Sequence, residues 1–108
     1  MIELLAWSQC PSHEEAQERL TALLTDLDRT DVDVELHWIE TEEEAAAQGF
    51  VGSPTFRWRG CDLLPPDAST RVGLACRVYR RRDGRVSPLP DPDDLREAVQ
   101  AALGGDSR

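Results

Sequence analysis

The stretch Trp7-Ser8-Gln9-Cys10-Pro11-Ser12-His13 joins an apolar run to a helix-patterned one and holds the most reactive-looking residues of the chain. A cysteine at a helix start meets free backbone N–H groups and the positive end of the helix dipole, which favour thiolate over thiol. A sulfur placed there is a nucleophile for disulfides, peroxides and other soft electrophiles. His13, three residues on and within the first turn, can stabilise that thiolate or carry its proton. The plainer alternatives are a buried cysteine acting as a small hydrophobe and a solvated histidine.

Cys61 and Cys76 complete an odd set of three cysteines with no short repeat. That pattern argues against a structural disulfide framework and for thiols kept reduced, as in the cytoplasm. Cys10 and His13 at i and i+3 could share a soft metal, with Cys76 as third ligand. No C-x-x-C pair or histidine cluster is present, so a closed zinc site is not expected, and the pattern calls for no cofactor.

The elements that must position these residues follow from periodicity. Ile2 to Trp7 is a nearly continuous apolar run, as expected of a central strand buried on both faces. Pro11 fits the first helical position, and Ala16, Leu20, Leu23, Leu24 and Leu27 then recur at helical spacing. Asp31 to Glu40 alternates, with Val32, Val34, Leu36 and Trp38 on one face and charges on the other, which predicts an edge strand. Thr41-Glu42-Glu43-Glu44 is a capping box opening a short helix that ends near Gly49. Thr55 to Trp58 and Cys61 to Leu64 read as a hairpin turned by Arg59-Gly60. Pro65 to Arg71 reads as a loop. Leu74 to Arg80 reads as a further strand with Cys76 and Val78 on one face, turned by Asp83-Gly84 into Arg85-Val86. The Arg80-Arg81-Arg82 run suits a solvated hairpin tip. Asp91-Pro92-Asp93-Asp94 opens a last helix with Leu95, Ala98, Val99, Ala102 and Leu103 inward, stopped by Gly104-Gly105. The order is strand, helix, strand, helix, strand, strand, an extra strand or hairpin, then helix. It predicts a mixed four-stranded sheet with helices on both faces, in one domain over residues 1–103 with a disordered tail over 104–108.

Composition narrows the function classes. The chain has 108 residues and a net charge of -9, which argues against a nucleic-acid partner because phosphate binding needs a basic surface. All twelve basic residues are arginine, which reads as codon usage rather than selection for guanidinium. No run approaches the roughly 20 apolar residues of a membrane span, and no basic leader precedes the first strand. These features point to a cytoplasmic protein with no membrane partner.

The element order, with Cys10-Pro11-Ser12-His13 between first strand and first helix and Gly52-Ser53-Pro54-Thr55 before the third strand, resembles the thioredoxin-like fold. Over about residues 2–103 the chain is similar to a group of small bacterial thioredoxin-like proteins. Their pattern reads C-P-S-H, then G-S-P-T, then a glycine-and-aspartate hairpin, then G-L-x-C-R-x-Y, here Gly73 to Tyr79. Some members carry selenocysteine at the position of Cys10, and some are labelled alkylmercury-lyase-like.

The resemblance implies a thiol-dependent redox protein acting on a thiol or disulfide substrate, either a protein or a small molecule. It implies a cis peptide bond at Pro54, which leaves the Ser53 backbone free to pair with an extended substrate approaching Cys10. Pro11, Ser12, Ser53, Pro54, Thr55 and Arg77 would then border the substrate. Because His13 replaces the second cysteine of a thioredoxin motif, the resolving sulfur must lie elsewhere or the chemistry is monothiol. The motif match singles out Cys76 as resolving thiol or second soft ligand, and leaves Cys61 incidental. Arg77 would lower a thiol pKa or hold an anion. Two other functions stay open: binding of a soft metal or organomercurial through Cys10 and Cys76, with Asp62 or His13 as proton donor, and a non-catalytic protein-binding module.

Overall fold

A computed structural model describes residues 1–66 and 70–106. Four strands form one mixed sheet in the order β2-β1-β3-β4: β1 (Ile2–Ala6), β2 (Val34–Trp38), β3 (Thr55–Trp58) and β4 (Cys61–Asp62). β1 is central. It runs parallel to β2, with Ile2 opposite Val34 and Ala6 opposite Trp38, and antiparallel to β3, with Leu4 opposite Phe56. A parallel neighbour requires a crossover, and α1 (His13–Asp26) supplies it.

β1 is apolar on both faces because both are covered. Ile2 and Leu4 pack with Ala16, Leu20 and Leu24 of α1, with Phe56, and with Leu95, Val99 and Leu103 of α3 (Pro92–Asp106). Leu5, on the opposite face, packs with Ile39, Phe50 and Ala45 of α2 (Glu42–Gln48). The protein is thus an α/β fold with a mixed four-stranded sheet and three helices, two on one face and one on the other. No helix among the described residues is long and apolar enough to cross a membrane.

β2 lies at the sheet edge, as its charged face predicts, and its register places His37 beside Glu3 and Glu35. Trp38 departs from its expected inward face and is 43% exposed. Thr41 caps α2 as expected: its hydroxyl accepts the Glu44 N–H at 3.0 Å, and the Glu44 carboxylate turns back to that same hydroxyl at 3.3 Å. Gly49 ends α2 with φ of 61°, a left-handed value. Arg59 and Gly60, both at positive φ, make the β3–β4 turn.

Four boundaries differ from the sequence reading. α1 begins at His13, with Ser12 as its cap residue, so Pro11 precedes the helix and does not open it. β4 is only two residues long, because the Asp62 carboxylate accepts the Leu64 N–H and bends the chain away. Leu74 to Arg80 is not one strand: only Tyr79–Arg80 (β5) is, paired with Val86–Ser87 (β6) in a separate two-stranded sheet. α3 continues through Gly104-Gly105 to Asp106. Of the segments expected to be loop and tail, residues 67–69 and 107–108 lie outside the described residues. The arginine run is not simply solvated either, since Arg82 bonds Asp94 and Glu97 of α3.

α2 is short, so its cap matters to the second face of the sheet. Thr41→Ala should cost about 1 kcal/mol, read as a lower midpoint in urea denaturation with an unchanged slope. An unchanged midpoint would contradict the capping role.

Candidate functional site

Cys10 closes a turn at the end of β1, its N–H bonding the Trp7 carbonyl at 3.0 Å. Its side chain is fully buried. Opposite stands the Gly52-Ser53-Pro54-Thr55 stretch, whose Ser53-Pro54 peptide bond is cis. The Ser53 carbonyl accepts from the Cys10 thiol at 3.5 Å when that thiol carries its proton.

A third segment completes the site. Ser53 donates its N–H to the Ala75 carbonyl and accepts the Arg77 N–H, both at 2.8 Å, so that Cys76 sits beside Ser53 in a parallel bridge. This overturns the expectation of a Ser53 backbone free for an extended substrate: residues 75–77 of the same chain already occupy it. The consequence is that the Cys76 sulfur lies 2.7 Å from the Cys10 sulfur, both cysteines being free thiols. Cys76 is exposed and covers the buried Cys10. The expectation that Cys10 itself meets an approaching chain therefore gives way: the sulfur open to solution is that of Cys76.

The electrostatics of the two sulfurs differ. Burial pushes the Cys10 thiol up. Hydrogen bonds from the Cys76 thiol, from the backbone and hydroxyl of Ser12, and from Ser53 outweigh it, and hold Cys10 below the ordinary thiol range. The Ser53 hydroxyl is buried with no other partner, a donor for a thiolate beside it. Cys76 moves the other way, to about 11, chiefly because its S–H is held by Cys10, with burial and the Cys10 charge adding to this. Of the two sulfurs, Cys10 therefore gives up its proton first and Cys76 second.

Arg77 explains why the 75–77 segment holds its place. Its side chain is 4% exposed and pairs with the Asp62 carboxylate at 2.8 Å. It also donates to the Leu64 carbonyl and lies 4.5 Å from the Tyr79 ring centre. A buried guanidinium needs such partners, because its desolvation otherwise costs several kcal/mol. Arg77 therefore anchors the segment and is not a surface arginine, an anion site or a modifier of the thiols. Its face reverses the expected alternation: Arg77 and Tyr79 point inward, while Cys76 and Val78 are exposed. Asp62, engaged by Arg77 and the Leu64 N–H, is not a proton donor at the sulfurs.

The remaining candidates divide. Thr55 is fully buried and its hydroxyl donates to the Gly52 carbonyl at 2.6 Å, so it shapes the loop and cannot border a substrate. Pro11 is exposed and Ser12 half-buried beside Cys10. His13 donates from Nδ1 to the Cys10 carbonyl at 2.8 Å and stacks edge-on against Trp38 at 4.9 Å. These contacts fix the helix start and engage the Cys10 backbone. Cys61 is exposed on β4, and no group of three or more potential metal ligands gathers among the described residues.

Two contributors were missed in the sequence. The Tyr79 hydroxyl donates to the Pro54 carbonyl. Gly52, at φ of 131°, lets the segment approach, since a Cβ there would lie 2.9 Å from the Arg77 Cα and N. Both sit inside the quoted motifs, where only their spacing signalled them.

No protein-family model matches the chain, and no match was found among curated proteins or among solved structures.

Three variants test this geometry. Asp62→Ala leaves the buried Arg77 charge unpaired and should cost about 3–5 kcal/mol in denaturant unfolding; a loss within about 0.5 kcal/mol, as for surface changes, would contradict the lock. Gly52→Ala should cost about 1–3 kcal/mol and slow Cys10–Cys76 disulfide formation; wild-type rates would mean that the close approach is unimportant. In a Cys61→Ser background, ultraviolet thiolate absorbance should rise in two steps, one below the range of free cysteine and one near pH 11. Cys76→Ala should raise the first step by removing its S–H donor, and an unmoved step would exclude Cys76 from that role.

Proposed function

We propose that the protein is a thioredoxin-like thiol redox protein whose working pair is Cys10 and Cys76. The observation that carries this reading is the 2.7 Å approach of two free thiols, one held below the ordinary thiol range and the other pushed above it. Two sulfurs so placed need only a small movement to form a bond of about 2.05 Å. The place of Cys10 in the turn between β1 and α1, three residues before the helix begins, and the adjoining cis bond at Pro54 support the likeness to thioredoxin-like proteins.

The pair cycles between dithiol and disulfide at the expense of a soft electrophile. With a peroxide, one cysteine thiolate attacks the peroxide oxygen and becomes a sulfenic acid, releasing an alcohol or water. The second sulfur then displaces hydroxide, which leaves as water, and the Cys10–Cys76 bond forms. With a small disulfide, the same two electrons pass through a mixed disulfide and two small thiols are released. Cys76 supplies the resolving function that His13 cannot.

Mass spectrometry after mild peroxide treatment and alkylation tests the proposal. A Cys10–Cys76 crosslink is expected in the wild type, with no intramolecular link in Cys10→Ser. A Cys10 sulfenic acid that persists beside an unlinked Cys76, or a dimer joined through Cys61 alone, would contradict it.

A further inference from the structure

We infer that the sulfur exchanging with solution is Cys76, that Cys10 is the buried leaving group behind it, and that the incoming reagent is a small thiol, not an extended polypeptide. The inference rests on the reading of Cys10 and Cys76 as a redox pair and reverses the roles expected from the Cys10 motif.

Three observations carry it. Access is one-sided: Cys10 is fully buried, whereas Cys76 is exposed directly above it. Cys76 also opens onto a groove of about 540 Å³, with Leu64, Pro65, Pro66, Val78, Arg80 and Val86 on its walls. That space accommodates a compact thiol beside the Cys76 sulfur. Finally, the edge on which an extended peptide would pair is already filled, because Ser53 spends both its N–H and its carbonyl on residues 75–77. A peptide strand could enter only by displacing the segment that Arg77 and Asp62 anchor, and displacement would carry Cys76 away from Cys10.

The exchange balances as follows. A small thiolate attacks the Cys76 sulfur of the oxidised pair in line with the S–S bond. That bond breaks and its electron pair leaves on Cys10, where Ser12 and Ser53 receive the thiolate. A second small thiolate attacks the sulfur of the first, forming the small disulfide and expelling Cys76 as thiolate, which takes a proton from solvent. Two small thiols are oxidised and one protein disulfide is reduced. Thiol–disulfide exchange favours this direction of attack because it depends on which sulfur is accessible and on how readily the other leaves.

The test uses the oxidised full chain in a Cys61→Ser background, with glutathione as probe. Reaction for short times, acid quenching and alkylation of the freed thiol are followed by peptide mapping. Glutathione on Cys76 with the alkyl group on Cys10 should exceed the opposite arrangement by about tenfold or more, from access and leaving-group preference together. Equal or reversed labelling overturns the assignment while leaving the redox pair intact. Failure to obtain a Cys10–Cys76 disulfide in the starting protein overturns the redox reading itself. In parallel, a peptide of matched charge with a central cysteine should reduce the oxidised protein no faster than glutathione at equal thiolate concentration. A faster peptide overturns the small-thiol class.

Discussion

Two backbone hydrogen bonds at Ser53 are the constraint on which the site depends. They place Cys76 in register with Ser53, and Ser53 already stands against Cys10. No strand pairing continues this bridge, because β5 and β6 form their own small ladder among the described residues. Two hydrogen bonds are a weak tether, worth about 0.5–1.5 kcal/mol each in net terms. The buried Arg77–Asp62 pair fixes the segment further, through charge that cannot be left unpaired in that environment. A buried ion pair contributes little net stability over apolar packing, but it tolerates only one arrangement. Here that arrangement is the one that sets the Cys76 sulfur over Cys10.

Chemistry follows from the asymmetry this creates. One sulfur is enclosed, with an amide, two hydroxyls and an S–H aimed at it; the other is open and holds its proton more tightly. Disulfide exchange at such a pair has a built-in direction, because attack requires an accessible sulfur and a partner that leaves as thiolate. In the proposed cycle the turn that leads into the first helix does not present a nucleophile to solvent. It holds the leaving group, and the later segment presents the reactive face.

Much of the scaffold was legible in the sequence. The apolar run of Ile2 to Ala6, the helical spacing of Ala16, Leu20 and Leu24 and the Thr41 cap are local patterns, and local patterns survive into the structure. The place of Cys10 could be read because a short continuous apolar run gives way to a 3.6-residue period at that junction. The segment from Leu74 to Arg80 misled for a physical reason. Its alternation is real, but arginine reads as solvent-facing and cysteine as buried, whereas the structure has them reversed. What inverts the face is Asp62, fifteen residues upstream by chain count, reached only through the turn of β3 and β4. A pairing of that kind leaves no trace in local spacing. The occupied backbone of Ser53 follows from the same contact, and it changes the class of molecule the site can receive.

The central claim is that residues 75–77 are held on Ser53 as part of the native structure. Amide hydrogen exchange of the reduced protein measures this directly, without relying on any thiol chemistry. The Ser53 and Arg77 amides should be protected well beyond those of the Asp83-Gly84 turn, approaching the protection of the β1 and β3 amides. If Ser53 and Arg77 exchange at the rate of the exposed turn, the segment is not docked and the account of the paired sulfurs fails.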